Sequence, residues 1–429
     1  MNKEIVILGA GIAGLSAAYH LKEAGIPNIV AEKENTYGGL CNSFEVRGFM
    51  FDTFAHISFD NEETTYHMLE GNVPHWTHES EAVNFNQGSW IKNPVQNNLS
   101  GLPVEERIRI IKGFIERTPD RNIENYGDWL RAMFGNYFAE KFPYKYTRKY
   151  WTVEPEQLES NWIKGRMYTP ALEEVLRGAM EEDTRSVHYS KEARYPVKGG
   201  FKSFLDPLVK NADIRYCMDI LEIDLQHKVI RFGNGEEWEY DKLISTIPLP
   251  ELCHIINTAP ESIRKTADRL DYTSGVMVSI GLARPCVSPA LWFYIYDEEI
   301  LPARVYAPDI KSPNNVPHGC SALQAEIYYS RYKKMPDDLE ELKEDVIHQM
   351  LRLNLFKEED IVVSDVRMKQ YANIMFTPEI YDARDAVHQY LKSVDIEYAG
   401  RWGEWDYLWV GQSFRSGRDA AERCIKQSF

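Results

Sequence analysis

The residues of this chain best placed to serve chemistry are three glycines and one acid. In IVILGAGIAGLSAAYHL, Gly9, Gly11 and Gly14 stand between a short apolar run and a stretch with helical periodicity. Glycines at that spacing, between a strand and a helix, suit a pyrophosphate. Gly9 permits the tight turn, Gly11 lets backbone come close, and Gly14 lets the helix pack on the strand. The helix start adds free N–H groups and a positive dipole end. Glu32 closes the following strand, where a carboxylate takes a ribose 2′-hydroxyl. With no Ser–His–Asp or Cys–His arrangement in view, the pattern points to chemistry carried by a bound dinucleotide.

Two further segments select among dinucleotides. In AEKENTYGGL a second pair, Gly38-Gly39, follows the acid and precedes Leu40, an addition met in FAD-dependent oxidases. Near the C-terminus, EYAGRWGEWDYLWVGQSFRSGRDAAERC reads as a strand, a Gly-rich loop and a helix whose start could direct N–H groups at a flavin. FAD is the expected cofactor.

These residues require a scaffold. Residues 4–8 and 28–32 read as buried strands and 12–23 as the helix between them. The stretch 102–150 is helical, rich in Arg, Tyr and Trp, and interrupted near Pro119 and Pro143. Strands return at 220–224 and 229–232, then a Gly-Asn-Gly turn and a strand ending at Ser245. Residues 276–283, 291–296, 304–306 and 322–329 read as an antiparallel set. A helix at 339–354, a strand at 395–399 and a helix at 413–426 close the chain. The expected fold is α/β: a Rossmann-type FAD-binding domain with a helical insert and an antiparallel β substrate domain. Segments 1–65, 195–274 and 386–429 would form the FAD domain, 66–160 a mainly helical insert, 161–194 a link, and 275–385 the substrate domain.

Composition narrows the partners. The 49 Lys+Arg against 65 Asp+Glu leave a net charge of −16, which repels nucleic acid and anionic membrane surfaces. An anionic substrate would therefore need arginines gathered locally against the global field. The cysteines (Cys41, Cys217, Cys253, Cys286, Cys320 and Cys424) are scattered, without CxxC or zinc spacing. They read as a reduced, cytosolic set, and no metal site is expected. No segment reaches the ~20 apolar residues of a membrane span. The apolar stretch 5–21 carries three glycines and has only Lys3 ahead of it, so it reads as structure rather than a signal peptide.

Several segments also resemble one family, the UDP-galactopyranose mutases, particularly the eukaryotic-type branch and its bacterial relatives within the amine oxidase-like flavoproteins. FDTFAHISF is similar to the family's histidine loop beside the flavin, which implies that role for His56. NPVQNNLSGLP resembles a nucleotide-pocket segment, implying Gln96 and Asn97 as substrate-binding residues. NWIKGR is similar to a tryptophan-led segment, so Trp162 and Arg166 would meet the nucleotide sugar. LWFYIYDEEILPAR resembles the segment gripping the diphosphate through Tyr294 and Arg304. GRWGEWDYLWVGQS is similar to the C-terminal flavin loop, implying FAD contacts for Arg401, Gln412 and Ser413 and a diphosphate contact for Tyr407. Two places depart from the family. Asn93 and Val95 replace aromatics expected against uracil, and Asn373 stands where a phosphate-directed tyrosine is expected. The base and the sugar therefore stay open.

The resemblance implies a flavin-dependent pyranose/furanose mutase. Reduced FAD attacks the anomeric carbon of a UDP-sugar through N5, in a step toward cell-surface polysaccharide or lipopolysaccharide precursors. NAD(P)H is the candidate reductant, and a homo-oligomer remains open. The competing expectation is an FAD-dependent oxidase or desaturase of the amine oxidase or protoporphyrinogen oxidase kind. A third is a protein that keeps FAD without catalysis. Purified protein should be yellow, show a flavin spectrum and release FAD on denaturation; colourless protein that takes up no FAD on reconstitution would contradict the cofactor reading.

Overall fold

In the computed structural model the described residues are 4–60, 62–119, 122–163, 166–182, 192–210 and 212–427. The strand Glu4–Leu8 is an apolar run because it is covered on both faces, as central parallel strands are. It pairs in parallel with Asn28–Ala31 on one side and with the end of Glu237–Ser245 on the other. Ile214–Arg215 extends the sheet beyond Asn28–Ala31, and Ile396–Tyr398 extends it beyond Glu237–Ser245, both in parallel. Strands from distant stretches thus assemble one dinucleotide sheet. The start of Glu237–Ser245 turns away into an antiparallel meander with Val229–Phe232 and Ile220–Asp224.

Small residues set the helices on this sheet. A Cβ at Gly14 would lie 2.0 Å from the Gly9 carbonyl oxygen, so only glycine lets the helix Ile12–Glu23 seat against the strand end. The closing helix Val410–Gln427 crosses the same helix at Gly417, where a Cβ would lie 2.0 Å from the Ala13 carbonyl oxygen. There the Ser16 hydroxyl donates to the Phe414 carbonyl at 2.7 Å.

The second sheet is seven-stranded, in the order Ile361–Ile374, Tyr272–Leu282, Ser321–Tyr329, Arg304–Tyr306, Trp292–Ile295, Ala82–Asn86 and Ser89–Lys92. Its pairings are antiparallel except that of Ala82–Asn86 with Trp292–Ile295. The strands expected at 276–283, 291–296, 304–306 and 322–329 form its centre. Its two borders escape the sequence pattern. The 14-residue strand IVVSDVRMKQYANI is an edge, broken in its middle by Asp365, Arg367 and Lys369, so no apolar run announces it. The hairpin Ala82–Lys92 comes from the stretch 66–160, which is therefore not purely helical.

That stretch also supplies the helices Val104–Ile115, Tyr126–Phe134, Asn136–Lys141 and Pro143–Tyr150. Pro143 opens the last of these, a position whose N–H is unpaired in any helix. Phe114, Leu130, Phe134, Phe138 and Phe142 bury together with Met277 and Tyr328 of the sheet, so these helices are packed onto it. Among the described residues no helix is long and apolar enough to cross a membrane.

Gly417→Val should force the two helices apart and lower stability by about 1–3 kcal/mol, the usual penalty of overpacking. Gly113→Ala, in a helix and with nothing within 4 Å of its Cβ position, should instead raise stability by up to about 1 kcal/mol. Urea unfolding of both variants checks the contrast.

Candidate functional site

A cavity of about 1210 Å³ is lined by residues of both sheets and of the closing helix. On the dinucleotide sheet, Gly9 takes φ +96° and turns the chain toward Gly11. At Gly11 a Cβ would meet nothing within 4 Å, so bare backbone faces open cavity space. Gly38 bridges to Gly11, and a Cβ on Gly39 would sit 3.3 Å from the Gly11 Cα. The second glycine pair is therefore a packing partner of the first. Gly11 to Ala13 and Val410 to Ser413 all line the cavity, so two helix starts border one space. Two positive dipole ends and a bare backbone cradle fit a dinucleotide pyrophosphate.

Glu32 is 7% exposed and lines the same space. Its carboxylate accepts the Ala10 N–H at 2.7 Å and the Glu34 N–H at 2.9 Å. Burial raises its pKa and the two N–H groups oppose the rise. Gln412 accepts the Trp409 N–H at 2.9 Å and so shapes the first turn of the closing helix. Arg401 donates through Nε and Nη2 to the Leu408 carbonyl at 3.1 and 2.8 Å. Leu40, His56, Arg401, Gln412 and Ser413 all line the cavity, which brings the expected flavin contacts together. Gly14 does not, since its work is against Gly9.

His56 follows two residues after Phe54, whose backbone takes φ +62° and is held by an N–H donated to the Met277 sulfur at 3.1 Å. The His56 Nδ1 is 3.3 Å from the Phe54 carbonyl, so Nδ1 holds the proton and Nε2 is left as an acceptor. Burial pulls this imidazole down to about 4, with Asp52 opposing and Lys311 adding to the fall. His56 is a neutral group at ordinary pH.

Across from the cradle, the antiparallel sheet presents charge in a consistent order. Glu326 is 0% exposed and stands behind the wall. It accepts the Ala55 N–H, the Tyr328 hydroxyl at 2.6 Å, and Arg304 through Nε at 2.9 Å and Nη2 at 2.7 Å. Arg304 itself lines the cavity. Burial alone would lower the guanidinium, but Glu326 holds it well above its ordinary value. Asp52 and Lys311 repeat the arrangement. Asp52 stands behind the wall, Lys311 lines the cavity, and their ion pair measures 3.0 Å. Each carboxylate is neutralised from in front, and each cation faces the space.

Hydroxyls complete the wall. Tyr150, Tyr294, Tyr328 and Tyr407 join Arg304 there. Burial pushes Tyr150, Tyr294 and Tyr328 above the ordinary phenol value, so they remain donors. The Tyr150 hydroxyl donates to Asn373 Oδ1 at 3.1 Å and lies 3.4 Å from the Tyr407 hydroxyl. Asn373, a departure from the resembled family, thus fixes a tyrosine of the wall.

Arg166, Gln96, Asn97 and Trp162 stand off the wall. The Arg166 guanidinium lies 4.4 Å from the Tyr407 ring centre and donates through Nη2 to the Tyr407 carbonyl at 2.6 Å. Arg401 lies 5.0 Å from the same ring, so two guanidiniums hold Tyr407. Trp162 stacks on Phe376 with ring centres 5.6 Å apart, and Gln96 donates to the Tyr168 carbonyl at 2.9 Å. Asn97 is buried beside Gly178. Val95 is in the helical core, and Asn93 precedes it in the same loop, also off the wall. Lys164 and Gly165, between Trp162 and Arg166, lie outside the described residues.

Sequence reasoning missed Tyr150, Tyr328, Lys311, Asp52 and Glu326. Tyr150 closes a helical stretch rich in Tyr and Trp, where the pattern speaks only of packing. A single acid inside SALQAEIYY was the available signal for Glu326, since such a charge must be buried and paired. Lys311, in a short polar helix, gave none.

The sequence pattern of the family described as flavin containing amine oxidoreductase matches residues 12–425. The chain belongs to that family. FAD is its cofactor, and the protein is a flavin-dependent enzyme of the amine oxidase superfamily. Among solved structures this chain is similar to a reduced UDP-galactopyranose mutase, with TM-score 0.92 and 26% identity, covering 99% of this chain and 96% of that one. A putative protoporphyrinogen oxidase from Exiguobacterium sp. 255-15 shares the fold at TM-score 0.76 and 16% identity, covering 100% of this chain and 99% of that one. By sequence, the 4,4'-diaponeurosporene oxygenase of Staphylococcus aureus is 24% identical over 396 residues, 78% of this chain and 76% of that protein. The hydroxysqualene dehydroxylase of Sinorhizobium fredii is 44% identical over 61 residues, 14% of this chain. That match spans 13% of the dehydroxylase's length.

His56 should stay neutral at pH 5.5, where an ordinary imidazole is mostly protonated. Ring-proton or ring-carbon NMR assigned through His56→Gln checks this. Because its folded pKa of about 4 lies below the ordinary 6.5, the unfolded chain binds the extra proton between those values. Its contribution to stability is therefore present above 6.5 and fades as pH falls toward 4.

Proposed function

We propose that this flavoenzyme is a nucleotide-sugar pyranose/furanose mutase acting on a UDP-sugar. The observation that carries the proposal is Arg304, a permanent cation on the cavity wall amid tyrosine hydroxyls. An apolar polyene or a cationic amine gains nothing from such a wall. A diphosphate gains charge-assisted hydrogen bonds from it. The structural likeness to a mutase points the same way.

Reduced FAD, when bound, supplies the nucleophile for the anomeric carbon. The chain's own residues then have three tasks. Arg304 and the hydroxyls of Tyr150, Tyr294 and Tyr407 hold the nucleoside diphosphate as charge develops on it, which preorganised donors do without reorientation. Arg166 and Arg401 position Tyr407. His56, neutral with Nε2 as acceptor, orients polar groups beside the flavin without adding charge. A role in cell-surface polysaccharide precursor synthesis follows from the reaction class.

The sequence likeness to an oxygenase favours a second reading, net flavin redox chemistry. The two separate in one experiment. UDP-galactopyranose should convert to the furanose over dithionite-reduced enzyme and hardly at all over oxidised enzyme, with no peroxide. Equal turnover in both states, or stoichiometric peroxide, would favour the second reading.

Removing Arg304 alone would strand a buried carboxylate, at a cost of about 3–5 kcal/mol in stability. The informative variant is therefore Arg304→Ala with Glu326→Gln. It should weaken UDP binding roughly ten- to hundredfold, because a hydrogen bond to a charged group is worth about 1.5–3 kcal/mol. FAD content should be unchanged. Arg166→Ala, acting through Tyr407 and Trp409, should weaken binding less. Calorimetric titration with flavin occupancy measured alongside checks both.

A further inference from the structure

We propose that Lys311, backed by Asp52, is a positioning residue for electrons: it raises the reduction potential of the bound flavin. The inference rests on FAD as the cofactor and not on the mutase reading. Lys311 is 1% exposed, and its ammonium sits 3.8 Å from the centre of the Tyr306 ring. Asp52, also 1% exposed, has more partners than charge balance requires. Its oxygens accept the Ser43 hydroxyl at 2.7 Å, the Tyr195 hydroxyl at 2.9 Å, the Phe201 N–H at 2.9 Å and Lys311 at 3.0 Å. Those neutral donors, none of them from a cavity-lining residue, share the carboxylate's charge. The ammonium, on the wall, has no such counterweight in front.

Its place is on the flavin side. Asp52 shares Ser43 with the backbone of Lys202, and the next residue, Thr53, donates its N–H to the Asn42 carbonyl at 2.7 Å. Asn42 ends the Gly39–Cys41 turn, which packs on Gly11. The pair is thus tied to the loops that lead from the dinucleotide cradle to His56. Flavin reduction takes up two electrons and one proton to give an anion. Burial lowers the Lys311 ammonium and the Asp52 carboxylate opposes that fall; in a site screened from water, the charged ammonium favours that anion over the neutral oxidised ring. His56, being neutral, adds no charge of its own beside Lys311.

The test is anaerobic reduction of the FAD-loaded protein against a dye of known potential. Lys311→Met should lower the reduced-to-oxidised ratio at fixed dye potential about tenfold, which is about 30 mV for a two-electron couple. Lys311→Arg should keep the wild-type value. Asp52→Asn should shift the ratio the other way, a sign that general loosening of the site cannot produce. If Lys311→Met does not fold, Asp52→Asn alone still decides. Flavin-replete variants that reduce at the wild-type potential, or an Asp52→Asn shift toward the oxidised form, would overturn the proposal.

Discussion

Glu326 has no exposed surface, yet it sits in the middle strand region of the antiparallel sheet as a carboxylate with Arg304, Tyr328 and the Ala55 N–H converging on it. A charge so placed is stable only if it is paired and hydrogen-bonded, since desolvation would otherwise cost several kcal/mol. The pairing fixes much else. The Ala55 bond carries the loop of His56 onto the sheet, and the Arg304 bond points a guanidinium into the cavity. Asp52, a few residues before that loop, imposes the same order with Lys311 of the helix Pro308–Lys311. At both places the cation lines the cavity and the acid that pairs it is buried behind.

This resolves a tension in the composition. A chain of net charge −16 cannot attract an anionic ligand through its long-range field. Fixed cations on a partly desolvated wall act at short range, where screening is weaker. The acidic surface then serves solubility, while the wall decides what binds. Two helix starts on the opposite side supply the complementary site for the cofactor's own phosphates, and Gly417 is what lets both helices reach it.

The dinucleotide half was legible in the sequence because local covalent requirements write it there. Gly9, Gly11, Gly14 and Gly39 are glycines for reasons of backbone angle and close approach that spacing alone reveals, and Glu32 follows at a fixed remove. The central strands of the second sheet were legible as apolar runs. Its edge strand Ile361–Ile374 was not, because a strand paired on one side keeps its charges. The rest of the cavity wall was legible only in part. Tyr294, Arg304 and Tyr407 came through resemblance, whereas Tyr150 and Lys311 reach the cavity from helices whose local pattern says only packing or surface. Arg166 was found through its segment, and in the structure it stacks on the wall residues Tyr407 and Trp409.

The account turns on whether the wall is a diphosphate site. Calorimetric titration of the FAD-loaded protein with UDP and, separately, with uridine measures that directly. The account predicts one saturable UDP site per flavin and uridine binding weaker by at least about tenfold, the loss expected from a charge-assisted hydrogen bond to the diphosphate. Uridine binding as tightly as UDP, or no UDP binding to either redox state, would contradict it.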